Sequence, residues 1–194
     1  EKVILIGASD GGVYAQIFAK RHPEFVLAMI LTTTLTIDSD YVRDIQKERF
    51  STPILLFLMK LVPAKTELNL LLKKSTGFLA CESEEDREYG RGFYEVVASD
   101  LNYKQRFIHS FKCVYMLKDY PLFKESDFEY LRGKIQVLLP EKDMFKKEDQ
   151  ERLADLFRKL DAEILTVPGG HVGFIVQSEY YIDLIEKFLE KNVI

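Results

Sequence analysis

The chain has 194 residues, of which 47% are hydrophobic and 30% charged, a composition typical of globular proteins and not of disordered ones. Its net charge of −4 argues against nucleic acid as a partner, because phosphate backbones are bound by basic surfaces. A chain of this length fits one folded unit with a sizeable core.

The first residues combine an apolar run with a serine between two glycines. Residues 3–6 are Val-Ile-Leu-Ile and predict a strand buried on both faces. Gly7, Ser9 and Gly11 follow in a GxSxG pattern, and a helical pattern comes next, with apolar positions expected to pack on the sheet at Val13, Ile17, Phe18 and Phe25. We expect side chains at either glycine to collide with so tight a turn.

This strand-to-helix turn lifts the hydroxyl of Ser9 clear of the sheet, so Ser9 is predicted to be a nucleophile. The alternative is a purely structural turn, since the pattern alone is short. The backbone N–H of Asp10 lies in the first helical turn, where unpaired donors and the helix dipole can stabilise an oxyanion.

About a hundred residues without a strand pattern follow a second predicted strand at 27–33. Their periodicity predicts helices at 40–50, 53–62, 66–74, 83–98 and 101–118. Ser83 and Asp86 have the spacing of a capping box. The apolar segment 53–63 contains a lysine and has about half of the ~20 residues that a membrane span needs, so no membrane span is predicted.

Two further strands, predicted at 134–139 and 163–167, are each followed by a loop with a candidate catalytic side chain. Asp143 follows the first, and His171 follows the second after a Pro-Gly-Gly turn. A predicted helix at 147–160 lies between these strands. Neighbouring parallel strands would therefore bring both loops to one edge of the sheet.

A serine nucleophile needs a base and an orienting acid, and other candidates exist for both. Glu141 is the rival acid, and Asp38 is a weaker one. Among the histidines, His22 is expected to be a solvated helix cap, and His109 to be a core or cap-region histidine. His171 is therefore the predicted base. A final helix is predicted at 178–191, with its apolar face on the sheet.

These motifs together resemble the C-terminal two thirds of an α/β-hydrolase. Residues 6–12 and 18–26, then 137–143, then 167–171 and 181–189 carry the resemblance. It implies an α/β fold, with a parallel sheet, helices on both faces and an inserted helical cap. The core would comprise residues 1–34 and 131–194, and the cap residues 35–130.

The resemblance implies a role for each site residue. Ser9 would be the nucleophile, His171 the general base, Asp143 the orienting acid and the Asp10 N–H an oxyanion donor. Pro140 stands where relatives commonly carry glycine, which leaves Glu141 open as the acid.

Members of this family begin with strands that precede the nucleophile strand and with a loop that supplies a second oxyanion donor. The chain opens directly on the nucleophile strand. We therefore expect a fragment that lacks the N-terminal strands. A companion N-terminal segment or a second copy would pair with the exposed sheet edge.

The resulting functional hypothesis is a carboxylesterase-like serine hydrolase of small to medium, largely apolar esters, working through an acyl-enzyme without metal or organic cofactor. The alternatives are a non-catalytic interaction protein on the same fold and a fragment inactive for lack of its oxyanion segment. The two cysteines, Cys81 and Cys113, lack metal-ligand spacing and predict reduced thiols in a cytoplasmic protein.

The insertion offers apolar side chains for a substrate pocket, and tyrosines that could hydrogen-bond a substrate. The apolar candidates are Leu55, Leu56, Phe57, Leu58, Met59, Leu61, Leu70, Leu71, Leu72, Phe78 and Phe93. The tyrosines are Tyr89, Tyr94, Tyr103 and Tyr115.

Overall fold

A single four-stranded sheet organises the computed structural model, which describes residues 1–40, 42–43, 54, 57–58, 60–72, 77–81, 83–100, 102–117 and 120–193. The strands are β1 (Val3–Ala8), β2 (Val26–Thr32), β3 (Ile135–Pro140) and β4 (Glu163–Val167), in that spatial order. All neighbouring pairs are parallel. Each strand lies where the sequence predicts one, and the α/β class is confirmed.

The helices also follow the predicted periodicity. They are α1 (Asp10–Arg21), α2 (Ala64–Leu71), α3 (Glu84–Ser99), α4 (Tyr103–Met116), α5 (Lys147–Arg158), the short α6 (Gly173–Val176) and α7 (Ser178–Asn192). Ser83 accepts a hydrogen bond from the N–H of Asp86 at 3.0 Å and so caps α3. The predicted helix at 40–50 lies almost wholly, and that at 53–62 partly, outside the described residues.

Helices cover both faces of the sheet. Alternate residues of β3 point to opposite sides because side chains alternate along a strand. Ile135, Val137 and Leu139 share one core with α1 and α5. Leu138 packs on the other side with Tyr181 of α7, as the pattern of the last helix predicts. The parallel sheet between two helical layers is therefore confirmed.

The face of α1 that meets the sheet differs from the predicted one. Val13 is buried, but Phe18 and Phe25 are exposed. Small side chains make the contact instead, with Ala15 and Ala19 in the core. Their size lets α1 lie close against the strands, and the large aromatic residues remain on the outer side of the helix.

The prediction that β1 is buried on both faces is wrong. Val3 is 47% exposed and Ile6 is 61% exposed. In the described part of the chain β1 is an edge strand paired with β2 alone. An apolar sequence run cannot distinguish a central strand from an edge strand, because both read as consecutive hydrophobic residues.

In the described parts of the chain, none of the helices combines the length and apolar content needed to cross a membrane.

Substitution of Phe157 tests the core beneath the sheet. The ring is fully buried and packs against Phe128 with centroids 5.3 Å apart. We expect Phe157→Ala to lower the free energy of unfolding by about 3–5 kcal/mol in urea titrations followed by circular dichroism. Val96→Ala is the control, because Val96 is 72% exposed on α3 and should change stability by under about 0.5 kcal/mol. Equal losses for both variants would contradict the assigned core.

Candidate active site

Ser9 occupies the single position between β1 and α1, in a strained conformation. Its φ is +52° and its ψ is −128°, backbone angles that residues other than glycine rarely adopt. Three hydrogen bonds hold it there. Its N–H donates to the Thr32 carbonyl at 3.2 Å, and its carbonyl accepts from the Gly12 N–H at 3.0 Å and the Thr34 hydroxyl at 2.6 Å. Such strain persists only where surrounding contacts enforce it.

The glycines that this turn requires are Gly7 and Gly12. A Cβ on Gly7 would lie 2.6 Å from the Cα of Gly12, and a Cβ on Gly12 would lie 2.4 Å from the side chain of Thr34. A Cβ on Gly11 would meet nothing within 4 Å. The expectation that Gly11 is sterically required is therefore wrong, because position 11 faces away from the strands, and Gly12 takes that role.

His171 follows β4 and is held in place by the insertion. Its N–H donates to the Gly77 carbonyl at 3.0 Å. The imidazole stacks on Phe78 at 5.7 Å and meets the edge of Phe145 at 4.9 Å between ring centroids. Only 6% of its side chain is exposed. The two rings pack against the imidazole and orient it, and the backbone bond holds the loop that carries it.

The structure brings the three predicted side chains together. His171 Nε2 lies 2.9 Å from Ser9 Oγ, and His171 Nδ1 lies 2.9 Å from Asp143 Oδ1. The Asp143 side chain is 1% exposed, and its Oδ1 also accepts from the Phe145 N–H at 3.1 Å. With an ionised carboxylate at Nδ1, the proton resides on that nitrogen and Nε2 presents its lone pair to the hydroxyl.

The alternative candidates lie elsewhere. Glu141 is exposed, and Asp38 accepts a hydrogen bond from the Thr36 hydroxyl. His22 caps the C-terminus of α1, as expected. His109 is exposed on α4, so it is not a core histidine. Cys81 and Cys113 are free and half-buried.

A cavity of about 280 Å³ opens beside Ser9 and is walled mainly by aromatic side chains. Its lining residues are Ser9, Asp10, Phe78, Tyr94, Tyr103, Phe107, Ser110, Phe111, Val114, Met144, Phe145, His171, Val172 and Phe174. The chemistry of this wall favours a planar or apolar group next to the serine hydroxyl.

Most of the apolar residues that the sequence suggested for the pocket do not line it. Phe57, Leu58, Leu61, Leu70 and Phe93 are exposed, and Leu72 is buried with Leu79 behind the wall. Leu55, Leu56 and Met59 lie outside the described residues, as does the side chain of Leu71. Phe78 lines the cavity as suggested, together with Tyr94 and Tyr103. Tyr89 is exposed and Tyr115 is not in the wall.

Half of the lining residues that the sequence analysis missed lie on α4. Phe107, Phe111 and Val114 recur at helical spacing and form one face of that helix toward the cavity. The spacing was visible in the sequence. It identifies an apolar helical face but not what that face covers, because packing between distant segments decides the contact.

Asp10 is the first residue of α1, so its N–H belongs to the turn whose donors have no acceptor within the helix. Asp10 also lines the cavity. Burial raises the pKa of its carboxyl above its ordinary value, and the nearby His171 partly opposes that shift. Among the described residues, no group of three or more His, Cys, Asp or Glu side chains could hold a metal ion.

Comparison with known proteins identifies the fold. No protein-family model matches the chain, and no curated protein matches it in sequence. Solved structures do: an α/β hydrolase enzyme, MGS-M2, from a Medee basin deep-sea metagenome library superposes with a TM-score of 0.72 at 15% identity. The comparison covers 98% of this chain and 66% of that one.

Two further structures give the same result. A thermophilic esterase from Thermogutta terrifontis has a TM-score of 0.65 at 18% identity, covering 100% of this chain and 66% of its own. A meta-cleavage product hydrolase from Pseudomonas fluorescens has a TM-score of 0.61 at 19% identity, covering 98% and 65%. The chain has the α/β-hydrolase fold and spans about two thirds of these neighbours' length.

Replacement of Gly11 or Gly12 by alanine tests the geometry of the turn. We expect Gly12→Ala to lower the free energy of unfolding by about 1–3 kcal/mol, because its Cβ must displace Thr34 from the Ser9 carbonyl. Gly11→Ala should leave stability unchanged or raise it by up to about 1 kcal/mol, since alanine has a higher helix propensity than glycine. Urea titration of both variants measures the difference. The same loss from both would contradict the steric assignment.

The raised pKa of Asp10 predicts a pH dependence of stability. The folded chain holds this proton more tightly than the unfolded chain, so the contribution of Asp10 to stability falls as the pH rises above 3.8, the ordinary pKa of an aspartate. We expect the stability of the parent chain, relative to Asp10→Asn, to decrease as the pH rises from about 4 through the raised pKa of Asp10. Asp183→Asn is the control, because that side chain is 56% exposed. A relative stability that increases with pH would reverse the assigned shift.

Proposed function

We propose that this chain, which has the α/β-hydrolase fold, is a serine hydrolase of small to medium carboxylic esters with an apolar acyl group. The observation that carries the proposal is the hydrogen-bonded series Ser9 Oγ, His171 Nε2, His171 Nδ1 and Asp143 Oδ1, with both contacts at 2.9 Å. A serine hydroxyl becomes a strong nucleophile only with such a base and orienting acid.

Acylation begins when Ser9 Oγ attacks the ester carbonyl and His171 Nε2 takes the hydroxyl proton. Asp143 remains ionised and stabilises the imidazolium through Nδ1. The Asp10 N–H is the proposed donor to the oxyanion of the tetrahedral intermediate, because it lies in the first turn of α1, at the positive end of the helix. Collapse breaks the ester C–O bond, and the leaving alkoxide takes the proton from Nε2.

Deacylation repeats these roles with water as the nucleophile. His171 Nε2 accepts a proton from the water that attacks the Ser9 ester, and then returns it to Ser9 Oγ as the acid departs. The aromatic cavity beside Ser9 supports placing the acyl group of the substrate there. Phe107, Phe111 and Phe145 offer ring surfaces and no charge to the substrate.

The competing hypothesis is a non-catalytic interaction protein on the same fold. Its distinguishing feature would be a His171 ring turned away from Ser9. The 2.9 Å contact between Nε2 and Oγ supports the enzyme instead, as does the buried carboxylate behind the ring. A serine held in a strained conformation also favours a functional role, since strain of this kind concentrates at active sites.

Labelling and kinetics test the proposal directly. A fluorophosphonate should modify Ser9, identified by peptide mass spectrometry, and Ser9→Ala should lower kcat for ester hydrolysis by about 10⁴- to 10⁶-fold. Ser178→Ala is the control, because Ser178 is exposed on α7. A loss of less than about 100-fold in Ser9→Ala, modification at another residue or no labelling of the folded chain would each overturn the mechanism.

A further inference from the structure

A polar groove adjoins the aromatic cavity on the neighbouring side of α4. Its walls include Tyr14 of α1 and, on α4, Gln105, His109 and Ser110. Ser110 also lines the catalytic cavity. Cavity and groove therefore share this residue and lie next to each other along α4.

The same groove continues onto a basic surface. Gln105 and His109 also line a second depression, whose other walls include Lys60, Lys104 and Lys112. No carboxylate is among the described residues of this wall. Three ammonium groups around one depression create a local positive potential in a chain whose net charge is −4.

Backbone contacts fix one of these ammonium groups. Lys104 Nζ donates to the Lys60 carbonyl at 2.6 Å and to the Val62 carbonyl. These two bonds hold the ammonium group of Lys104 in place beside the depression. Lys60 and Lys112 are exposed, so their ammonium groups add charge without a fixed position. Arg106, which borders the polar groove, is ion-paired with Asp100 and adds little net charge.

We propose that this groove, from Ser110 to the three lysines, binds the phosphate-bearing leaving group of an acyl thioester or ester. The inference rests on the proposed function of the Ser9 site and names its substrate class. The acyl group occupies the aromatic cavity, a polar linker crosses Gln105 and His109, and the phosphate lies against the lysines. Charge-assisted hydrogen bonds supply the recognition.

The chemistry of the step is unchanged. Ser9 Oγ forms a bond to the acyl carbon, the carbon–sulfur bond of a thioester breaks, and the thiolate takes the proton held by His171 Nε2. Water then releases the acid. Phosphate takes no part in bond exchange and lowers KM without changing kcat, because its contacts are the same in the ground and transition states.

A matched pair of substrates tests this assignment. Hexanoyl-coenzyme A and the hexanoyl thioester of N-acetylcysteamine share the acyl group and the scissile bond, and only the first carries phosphate. We expect a KM at least about tenfold lower for the coenzyme A thioester. The double variant Lys60→Glu and Lys112→Glu should remove this advantage and leave kcat and the smaller thioester unaffected. The double variant Lys187→Glu and Lys191→Glu, at two exposed positions of α7, makes the same charge change as a control.

Failure of the groove and failure of the catalytic proposal give different results. Equal KM values for both thioesters, or equal effects of the double variant on both, would overturn the groove and leave hydrolysis at Ser9 intact. Binding of coenzyme A to Ser9→Ala, followed by calorimetry, tests the groove without catalysis. Binding that the double variant abolishes supports the groove even if neither thioester is hydrolysed, and absence of binding overturns it.

Discussion

The hydrogen bond between His171 and Ser9 joins loops that follow opposite edges of the sheet. Ser9 follows β1 and His171 follows β4, and two strands lie between them. Parallel strands are spaced about 4.8 Å apart, so these strand ends are separated by about 14 Å. The loops after β1 and β4 must therefore reach toward each other over the ends of β2 and β3 to bring Nε2 within 2.9 Å of Oγ. The geometry of the site depends on whatever holds the loop after β4 in place.

The insertion provides this support through the segment 77–80. The Gly77 and Phe78 carbonyls accept from the N–H groups of His171 and Val172 at 3.0 and 3.1 Å. The fit leaves no room for side chains. A Cβ on Gly77 would lie 2.8 Å from the carbonyl oxygens of Lys142 and Asp143, and a Cβ on Gly170 would lie 2.3 Å from that of Gly77. The inserted segment therefore interlocks with both the acid loop and the histidine loop.

Local pattern was enough to place the strands and to identify the loops that carry the site. Residues 3–6, 134–139 and 163–167 read as strands, and the polar residue after each one was the informative signal. Tertiary contact decided what the pattern could not. Gly11 and Gly12 are indistinguishable in sequence, yet the position of Thr34 makes only Gly12 sterically necessary.

The same limit applies to the cavity wall. Leu58 and Phe107 both lie on apolar helical stripes, but only Phe107 faces the serine. The role of Gly77 was missed for a related reason. Its carbonyl contacts a residue 94 positions away in the chain, as the numbering of Gly77 and His171 shows, and no periodicity encodes such a contact.

Helix α4 takes part in the cavity, the polar groove and the basic depression, and it presents a different chemistry to each. Phe107 and Phe111 face the cavity, His109 faces the polar groove, and Lys112 faces the basic depression. Successive residues of a helix are turned by about 100°, so a one-residue slip of α4 would replace aromatic side chains at the cavity with polar ones. Packing of Ile108 and Val114, both buried, fixes the rotation of the helix. The orientation of this one helix thus sets the shape of the cavity and the position of the groove together.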